Sequence, residues 1–154
     1  MIAVIQRVKS AVVLADGEES GRCGPGLLVL LGVAVGDTAE DSRLLADKIA
    51  HLRIFSDADG KMNRSVLDVG GEALVVSNFT LHADYTHGNR PSYFGAARPE
   101  EAVPLYEDFL SRMEAYLPSV GHGRFGADME ITMKADGPVT IVMNSADLRK
   151  GKAT

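Results

Sequence analysis

The sequence has few of the features that mark secreted, metal-binding or membrane proteins. It holds one cysteine, Cys23, which excludes an internal disulfide and any metal site built on paired cysteines. Its apolar runs stay well short of the roughly 20 residues that cross a bilayer, so no membrane contact is expected. Residues 1–8 lack the basic segment of a signal peptide, so we expect a cytoplasmic protein. The net charge of −5 argues against nonspecific nucleic-acid binding but leaves room for a local basic patch.

The composition is that of an ordinary folded domain. Hydrophobic residues make up 45% of the 154 positions, enough for one buried core. Predicted strands and helices alternate, which favours the α/β (α+β) class and a single domain of about seven strands and two main helices. We expect this domain to span residues 1–145 and the polar residues 146–154 to form a flexible tail. The clearest strands are expected at residues 2–8, 11–14, 27–35, 54–55, 74–81, 129–134 and 139–143.

Two helices are predicted from their start signals and their apolar stripes. Asp37 can cap the first helix, and Glu40 stands three residues later, as a capping box requires. The second helix starts at Pro99, and Pro104 should lie in its first turn or kink it. The stripes consist of Leu45, Ile49 and Leu52 in the first helix and Tyr106, Phe109, Leu110, Met113 and Leu117 in the second.

The stretch from Leu74 to Leu81 begins as a buried strand and then becomes polar without losing strand-forming residues. Because side chains alternate in a strand, Ser77 and Phe79 should share one face and Asn78 and Thr80 the other. Two small polar side chains at a strand end suit a reaction site. They also suit a strand that simply leaves the core and meets water.

A long loop without predicted structure follows, at residues 82–98. It carries His82, His87, two arginines, two tyrosines and a phenylalanine, with Asp84 as its one acid. Basic and aromatic side chains suit phosphate contacts and base stacking, although a surface loop folded over its own aromatics would look the same. His82, Asp84 and His87 could in principle bind a metal, but their loop position favours solvated side chains, so no metal site is expected.

Several segments spread over nearly the whole chain resemble the D-aminoacyl-tRNA deacylase family, also called D-tyrosyl-tRNA deacylases. The two motifs of that family correspond to residues 77–81 and 136–140. The other matching segments are Met1–Val8, Gly24–Gly26, Leu52–Phe55, Gly60–Asn63, Asn89–Ser92 and Gly123–Met129. Similarity by chance over so many segments is implausible.

Two positions depart from the family pattern. The first motif usually reads Ser-Gln-Phe-Thr, and here Asn78 replaces the glutamine, which keeps the amide but shortens its reach by one methylene. The second motif usually opens with asparagine, and here Ala135 stands in its place, so a turn-stabilising hydrogen bond is lost that Asp136 could replace. Both changes bear on rate and fine geometry more than on reaction type.

The resemblance implies a fold, an activity and a site. The implied fold is a barrel-like sheet with two helices. The implied activity is hydrolysis of the ester between a D-amino acid and the 3′-terminal adenosine of tRNA, by a cytoplasmic homodimer that needs no cofactor. Gly137 and Pro138, joined by a cis peptide bond, would be inserted into the partner's active site. They would face the catalytic residues Ser77, Asn78, Phe79 and Thr80, while Phe125 and Met129 would line the pocket and contact the substrate.

The residues suggest how such a site would work. Thr80 is a candidate nucleophile, but its hydroxyl needs a base, and the strand from Leu74 to Leu81 offers none. We therefore expect backbone N–H groups near Phe79 and Thr80 to form an oxyanion hole, with the 2′-hydroxyl of the tRNA assisting water. A stiff Gly137-Pro138 backbone would reject L-amino acids by collision, so glycyl-tRNA should be cleaved as well.

Two other functions remain open at this stage. One is a noncatalytic tRNA-binding dimer of the same fold, whose activity Asn78 and Ala135 have weakened. The other is a serine- or threonine-type esterase that acts on small molecules. The reaction with D-aminoacyl-tRNA, compared with a free D-amino acid ester, distinguishes the three.

Overall fold

The structure, a computed structural model, describes residues 1–151 of the chain. It consists of a curved, nearly closed sheet with helices packed against it. The strands are β1 (Ile2–Ala15), β2 (Glu18–Cys23), β3 (Gly26–Gly32), β4 (Phe55–Ser56), β5 (Met62–Arg64), β6 (Glu72–Ser77), β7 (Val120–His122) and β8 (Met129–Asn144). The helices are α1 (Ala39–His51), α2 (Pro99–Tyr116), α3 (Ser145–Gly151) and a short 3-10 helix at Phe79–His82. This confirms the mixed α/β class and the barrel-like sheet.

The long strand β1 organises the sheet. It pairs with β3 along its first half, with β2 along its second half, and with β8 along nearly its whole length. The predicted strands 2–8 and 11–14 are therefore one strand, because β8 pairs with both of them. The order continues from β3 to β6 and β7 through parallel pairs. The sheet then curves back on itself, where the Ser20 hydroxyl of β2 donates to the His122 carbonyl oxygen of β7 at 2.9 Å.

Two apolar clusters fill the two sides of this sheet. The larger one joins β1, β3 and β6 to the buried stripes of both long helices, with Leu45, Ile49, Phe109 and Met113 fully enclosed. The smaller one lies inside the curve of the sheet and contains Val8, Ala11, Val13, Cys23, Leu28, Leu74 and Val76. The predicted stripes of both helices are confirmed, and β3 is the central strand expected of its apolar sequence.

The helix termini differ in detail from the predictions. The N-cap of α1 is Thr38, whose backbone N–H donates to the Asp41 carboxylate at 2.8 Å. The capping pair is therefore Thr38 and Asp41, one residue later than predicted, because the Asp37 carboxylate accepts the Ala34 N–H instead. Pro104 lies inside α2, beyond its first turn.

The strand expected at residues 139–143 and the one at 129–134 form a single strand, β8. Between Gln6 and Val8 of β1, the partner positions on β8 advance from Thr140 to Ala135. Residues 136–139 therefore bulge out of the ladder opposite Arg7. The Asp136-Gly137-Pro138 sequence was predicted to be a turn between two strands; it is a bulge within one strand because β1 pairs with β8 on both sides of it.

Most of the chain beyond β8 is helical. Residues 145–151 form α3, which covers most of the segment expected to be a flexible tail. The Ser145 hydroxyl donates to the buried Asp41 carboxylate at 2.7 Å, and the guanidinium of Arg149 lies 3.0 Å from the same carboxylate. These polar contacts, with Leu148 packed against the core, hold the helix in place. Residues 152–154 of the expected tail lie outside the described residues.

No helix among residues 1–151 combines the length and the apolar character needed to cross a membrane.

Candidate active site

A pocket of about 190 Å³ opens where β3 and β6 end. Five elements form its wall: the ends of these two strands, the 3-10 helix, the first turns of α2 and the connection from β7 to β8. The residues are Leu31, Val33, Ser77, Asn78, Phe79, Ala97, Ala102, Tyr106, Phe125, Gly126, Ala127 and Met129. Five of the eight residues predicted from the sequence therefore meet in one cavity, which is largely apolar with a polar edge at Ser77 and Asn78.

The polar edge of the pocket is a tight turn, and this corrects the prediction for residues 74–81. The strand β6 ends at Ser77 and the chain enters the 3-10 helix at Phe79, so Ser77, Asn78 and Phe79 line the same cavity. The Asn78 N–H donates to the Leu31 carbonyl oxygen at 2.8 Å, and the Asn78 carbonyl oxygen then accepts the Leu81 N–H. Phe79 and Thr80 favour strands, but tertiary contacts override that preference.

The turn needs a glycine beneath it. A Cβ on Gly32 would stand 2.8 Å from the Asn78 carbonyl oxygen and 3.1 Å from the side chains of both Leu81 and His82. The missing side chain lets the turn lie directly on the end of β3. Within the 3-10 helix, the first N–H to find a partner is that of Leu81. The N–H groups of Phe79 and Thr80 precede it and have no partner inside the helix.

The hydroxyl of Thr80 points back at the turn. It donates to the Asn78 side-chain oxygen at 2.5 Å, and Thr80 itself is exposed. An amide oxygen is not a base, so this contact orients the hydroxyl without taking its proton. The nearest histidine in sequence, His82, has its Nε2 2.9 Å from the Gly32 carbonyl oxygen. Its ring is therefore held at the strand end and is not paired with Thr80.

Aromatic side chains form the deep wall of the pocket. Tyr106 is buried, its hydroxyl donates to the Val75 carbonyl oxygen at 3.2 Å, and its ring packs 5.8 Å from that of Phe125. Burial raises the pKa of Tyr106, so its hydroxyl stays protonated. At the mouth, Phe79 is 56% exposed and meets Tyr93 edge to face at 5.2 Å.

Gly137 and Pro138 lie elsewhere in the same chain. Their neighbour Asp136 shares a second cavity with Pro25 and Glu72, at the opposite end of β3 and β6 from Ser77. About five strand residues separate the two ends, which is roughly 16 Å at about 3.3 Å per residue. The Gly137–Pro138 peptide bond is cis, as predicted, and both residues are exposed.

Arg7 holds this bulge against the sheet. Its Nε donates to the Asp136 carbonyl oxygen at 3.2 Å, and its Nη1 donates to the Ile54 carbonyl oxygen at 2.7 Å. Gly137 has a φ of +123°, and a Cβ there would stand 3.0 Å from the Val139 nitrogen and 3.2 Å from an Arg7 nitrogen. The bulge is therefore a position where only glycine fits without strain.

The loop residues that could in principle bind a metal do not form a site in the structure. Within residues 1–151, no group of three or more His, Cys, Asp or Glu side chains is arranged to hold a metal ion. The Asp84 carboxylate bonds the N–H and hydroxyl of Thr86 instead of a histidine. Cys23 is buried, and burial raises the pKa of its thiol to about 11, which keeps it protonated and unreactive.

The sequence did not identify every residue of the pocket. Tyr106 and Ala102 were predicted only as part of a helix, because an apolar stripe does not distinguish core residues from pocket walls. Gly126 and Ala127 were included in a matching segment but were not assigned to the site.

Comparison with known proteins matches nearly the whole chain to one family. The family described as D-Tyr-tRNA(Tyr) deacylase matches residues 4–144. A D-aminoacyl-tRNA deacylase of Chloroflexus aurantiacus is 58% identical over 149 residues, which cover 97% of this chain and 93% of that protein. One from Roseiflexus castenholzii is 55% identical over 150 residues, with coverage of 97% and 96%.

A solved structure gives the same result for the fold. The protein described as c-Myc DNA Unwinding Element Binding Protein is 39% identical and superposes with a TM-score of 0.88, over 94% of this chain and 98% of that one. The sequence motifs, the pocket at the end of β6 and these relatives agree. The chain belongs to the D-aminoacyl-tRNA deacylase family and is a hydrolase of the aminoacyl-tRNA ester bond.

Proposed function

We propose that this enzyme hydrolyses the ester of a D-amino acid or of glycine on the 3′-terminal adenosine of tRNA, in the cytoplasm, as a homodimer. The observation that carries the proposal is the pocket at the end of β6, where the Ser77–Phe79 turn meets an apolar cavity. A cavity of this kind suits the base and ribose of an adenosine, with the ester at the polar turn. Ser77 and Asn78 hold the adenosine or the turn, and Phe125 and Met129 contact the substrate.

Catalysis in this proposal depends on the backbone. The N–H groups of Phe79 and Thr80 have no partner inside the 3-10 helix and are available to the oxygen that becomes negative during attack on the ester. The Thr80 hydroxyl is already engaged with the Asn78 side-chain oxygen, and among residues 1–151 no hydrogen bond joins it to a base. Water is therefore the nucleophile, and the tRNA 2′-hydroxyl assists it. An aminoacyl ester is activated, so orientation and charge stabilisation suffice.

A second copy of the chain completes the site. In one chain the Gly137-Pro138 bulge lies roughly 16 Å along the strands from the turn at Ser77, so it cannot serve its own pocket. The strand β8 pairs only with β1 among the described residues, and it exposes Ile131, Met133 and Val142. A long, apolar, unpaired edge is a surface that proteins cover. A second β8 across a twofold axis would cover it and bring each bulge to the other pocket.

This arrangement also accounts for chirality. The partner subunit's Gly137 and Pro138 present backbone to the substrate's α-carbon, and proline restricts the movement of that backbone. The side chain of an L-amino acid would collide with it, whereas the side chain of a D-amino acid would point toward open space. Glycine has no side chain to collide. D-aminoacyl-tRNA and glycyl-tRNA are therefore substrates and L-aminoacyl-tRNA is not.

The test of this function compares two substrates of the purified protein. D-Tyr-tRNA and the ethyl ester of D-tyrosine carry the same acyl group, but only the first offers the adenosine. We expect rapid hydrolysis of D-Tyr-tRNA and none of the simple ester above its spontaneous rate. Equal activity on both esters would identify a small-molecule esterase. Binding of D-Tyr-tRNA without turnover would identify a noncatalytic dimer weakened at Asn78 and Ala135.

A further inference from the structure

A third, shallower cavity adjoins the active-site pocket. It has a volume of about 520 Å³ and is lined by Arg90, Pro91, Ser92, Tyr93 and Phe94, which we call the aromatic groove. Phe94 is 94% exposed, so its ring lies almost entirely in solvent. A ring held in this way is costly to hydrate and is available for contact with a partner.

The aromatic groove begins where the active-site pocket ends. Phe79 lines the pocket, and Tyr93 lines the groove; their rings meet edge to face at 5.2 Å. A chain that leaves the mouth of the pocket past Phe79 therefore reaches the groove directly.

Arg90, which lines the groove, carries a positive charge in a protein whose net charge is −5. It forms no ion pair within the part of the chain that the structure describes. The carboxylate of Asp84, the one acid of the loop, accepts hydrogen bonds from the Thr86 N–H at 3.0 Å and from the Thr86 hydroxyl at 2.6 Å. The free guanidinium group of Arg90 beside the exposed ring of Phe94 forms a surface that suits a single-stranded nucleic acid.

We propose that the aromatic groove binds the unpaired nucleotides that precede the terminal adenosine of the tRNA. This inference rests on the function proposed above, since the adenosine must occupy the pocket for the preceding nucleotides to emerge at Phe79. Successive stacked bases are about 3.4 Å apart, so the next nucleotides fall within the groove. Their bases stack on Tyr93 and Phe94, and a phosphate lies against Arg90.

Arg90 and Phe94 contribute differently, and the difference is measurable. Stacking does not depend on salt, whereas a phosphate contact does, because it releases a counterion. The Phe94→Ala substitution should lower kcat/KM for D-Tyr-tRNA about tenfold, within the range that aromatic–base stacking supports. The Arg90→Ala substitution should lower kcat/KM for D-Tyr-tRNA too, and unlike Phe94→Ala it should reduce the slope of log kcat/KM against log salt concentration by about 0.7.

The decisive experiment compares D-Tyr-tRNA with 3′-O-D-tyrosyl-adenosine, which lacks the preceding nucleotides. Phe94→Ala and Arg90→Ala should impair the first substrate and leave cleavage of the second unchanged. The matched control is Tyr85→Ala, because Tyr85 is a 78% exposed aromatic of the same loop outside the groove. It should affect neither substrate. Since these side chains are exposed, the thermal midpoints of all three variants should match the wild type.

Two results would overturn the inference. If Phe94→Ala slowed both substrates equally, the groove would act on the pocket and not on the nucleotides. If Tyr85→Ala lowered kcat/KM for D-Tyr-tRNA as much as Phe94→Ala does, the contact would not belong to the groove. A wild-type protein that cleaved neither substrate would instead refute the proposed function, so the two failures are distinguishable.

Discussion

The Gly137→Ala substitution tests the role of the bulge in β8 most sharply. Gly137 has a φ of +123°, and an added Cβ would lie 3.0 Å from the Val139 nitrogen and 3.2 Å from an Arg7 nitrogen. Two costs therefore add. A positive φ in a residue with a side chain costs about 1–3 kcal/mol, and overpacking costs a further 1–3 kcal/mol or so. The backbone of the bulge must shift to relieve them.

A control residue separates the two costs. Gly60 has a φ of +78°, and an added Cβ there would meet nothing within 4 Å. Gly60→Ala therefore carries the backbone cost alone and lies in the β4–β5 connection, away from the pocket. In a chain of this size, each kcal/mol lowers Tm by about 2–4 °C. We expect both variants to lose stability, Gly137→Ala more than Gly60→Ala at equal protein concentration.

Activity should separate the two variants further. A displacement of about 1 Å at a positioning element can lower the rate about 100-fold, so Gly137→Ala should lose about that much kcat/KM on D-Tyr-tRNA. Gly60→Ala should retain full activity. The measurement is single-turnover deacylation at a temperature where both variants are folded. Wild-type activity and unchanged rejection of L-Tyr-tRNA in Gly137→Ala would refute the assignment of this bulge to the site.

Three further predictions concern other parts of the molecule. Thr80→Ala should keep substantial activity because the hydroxyl bonds an amide oxygen and is paired with no base among the described residues, and a D-aminoacyl ester trapped on Thr80 would contradict this. Val142→Glu places a charge on the exposed edge of β8, where Val142 is 69% exposed. Light scattering should then report a monomer, and that monomer should not deacylate D-Tyr-tRNA. An active monomer would rule out the shared site. Burial opposes ionisation of Asp41, but the Thr38 N–H, the Ser145 hydroxyl and Arg149 together hold its pKa below the ordinary value. The contribution of ionised Asp41 to the free energy of unfolding is therefore complete above about pH 4, the unfolded-state pKa, and is lost as pH falls through the lower folded-state pKa. In urea unfolding, the difference in stability between wild type and Asp41→Asn should close on acidification.

The sequence predicted the core of the fold well because periodic apolar residues report burial directly. The central strand β3 and the stripes of α1 and α2 were read from such patterns. Local turn chemistry was less reliable. The sequence Asp136-Gly137-Pro138 resembles a chain reversal, but β1 runs past it and pairs with β8 on both sides. Pairing between distant segments is not visible in local sequence.

The active site was predicted in composition but not in shape. Phe79 and Thr80 have strand preferences, whereas the turn they enter depends on Gly32, almost fifty residues earlier in the chain. Tyr106 was hidden for a related reason, since a buried aromatic on a helix has the same sequence signature in a core and in a pocket wall. Asp37 was chosen as the cap of α1 because Glu40 stands three residues later, but Thr38 is also a good N-cap residue and has Asp41 at the same spacing.

We infer that the site rejects L-amino acids by collision with backbone and does not recognise the D side chain. The most direct measurement is deacylation of D-Tyr-tRNA, Gly-tRNA and L-Tyr-tRNA by the same enzyme preparation over a range of concentrations. We expect hydrolysis of D-Tyr-tRNA and Gly-tRNA and none of L-Tyr-tRNA. If the enzyme cleaved D-Tyr-tRNA but left Gly-tRNA intact at high concentration, a pocket for the D side chain would have to replace rejection by collision.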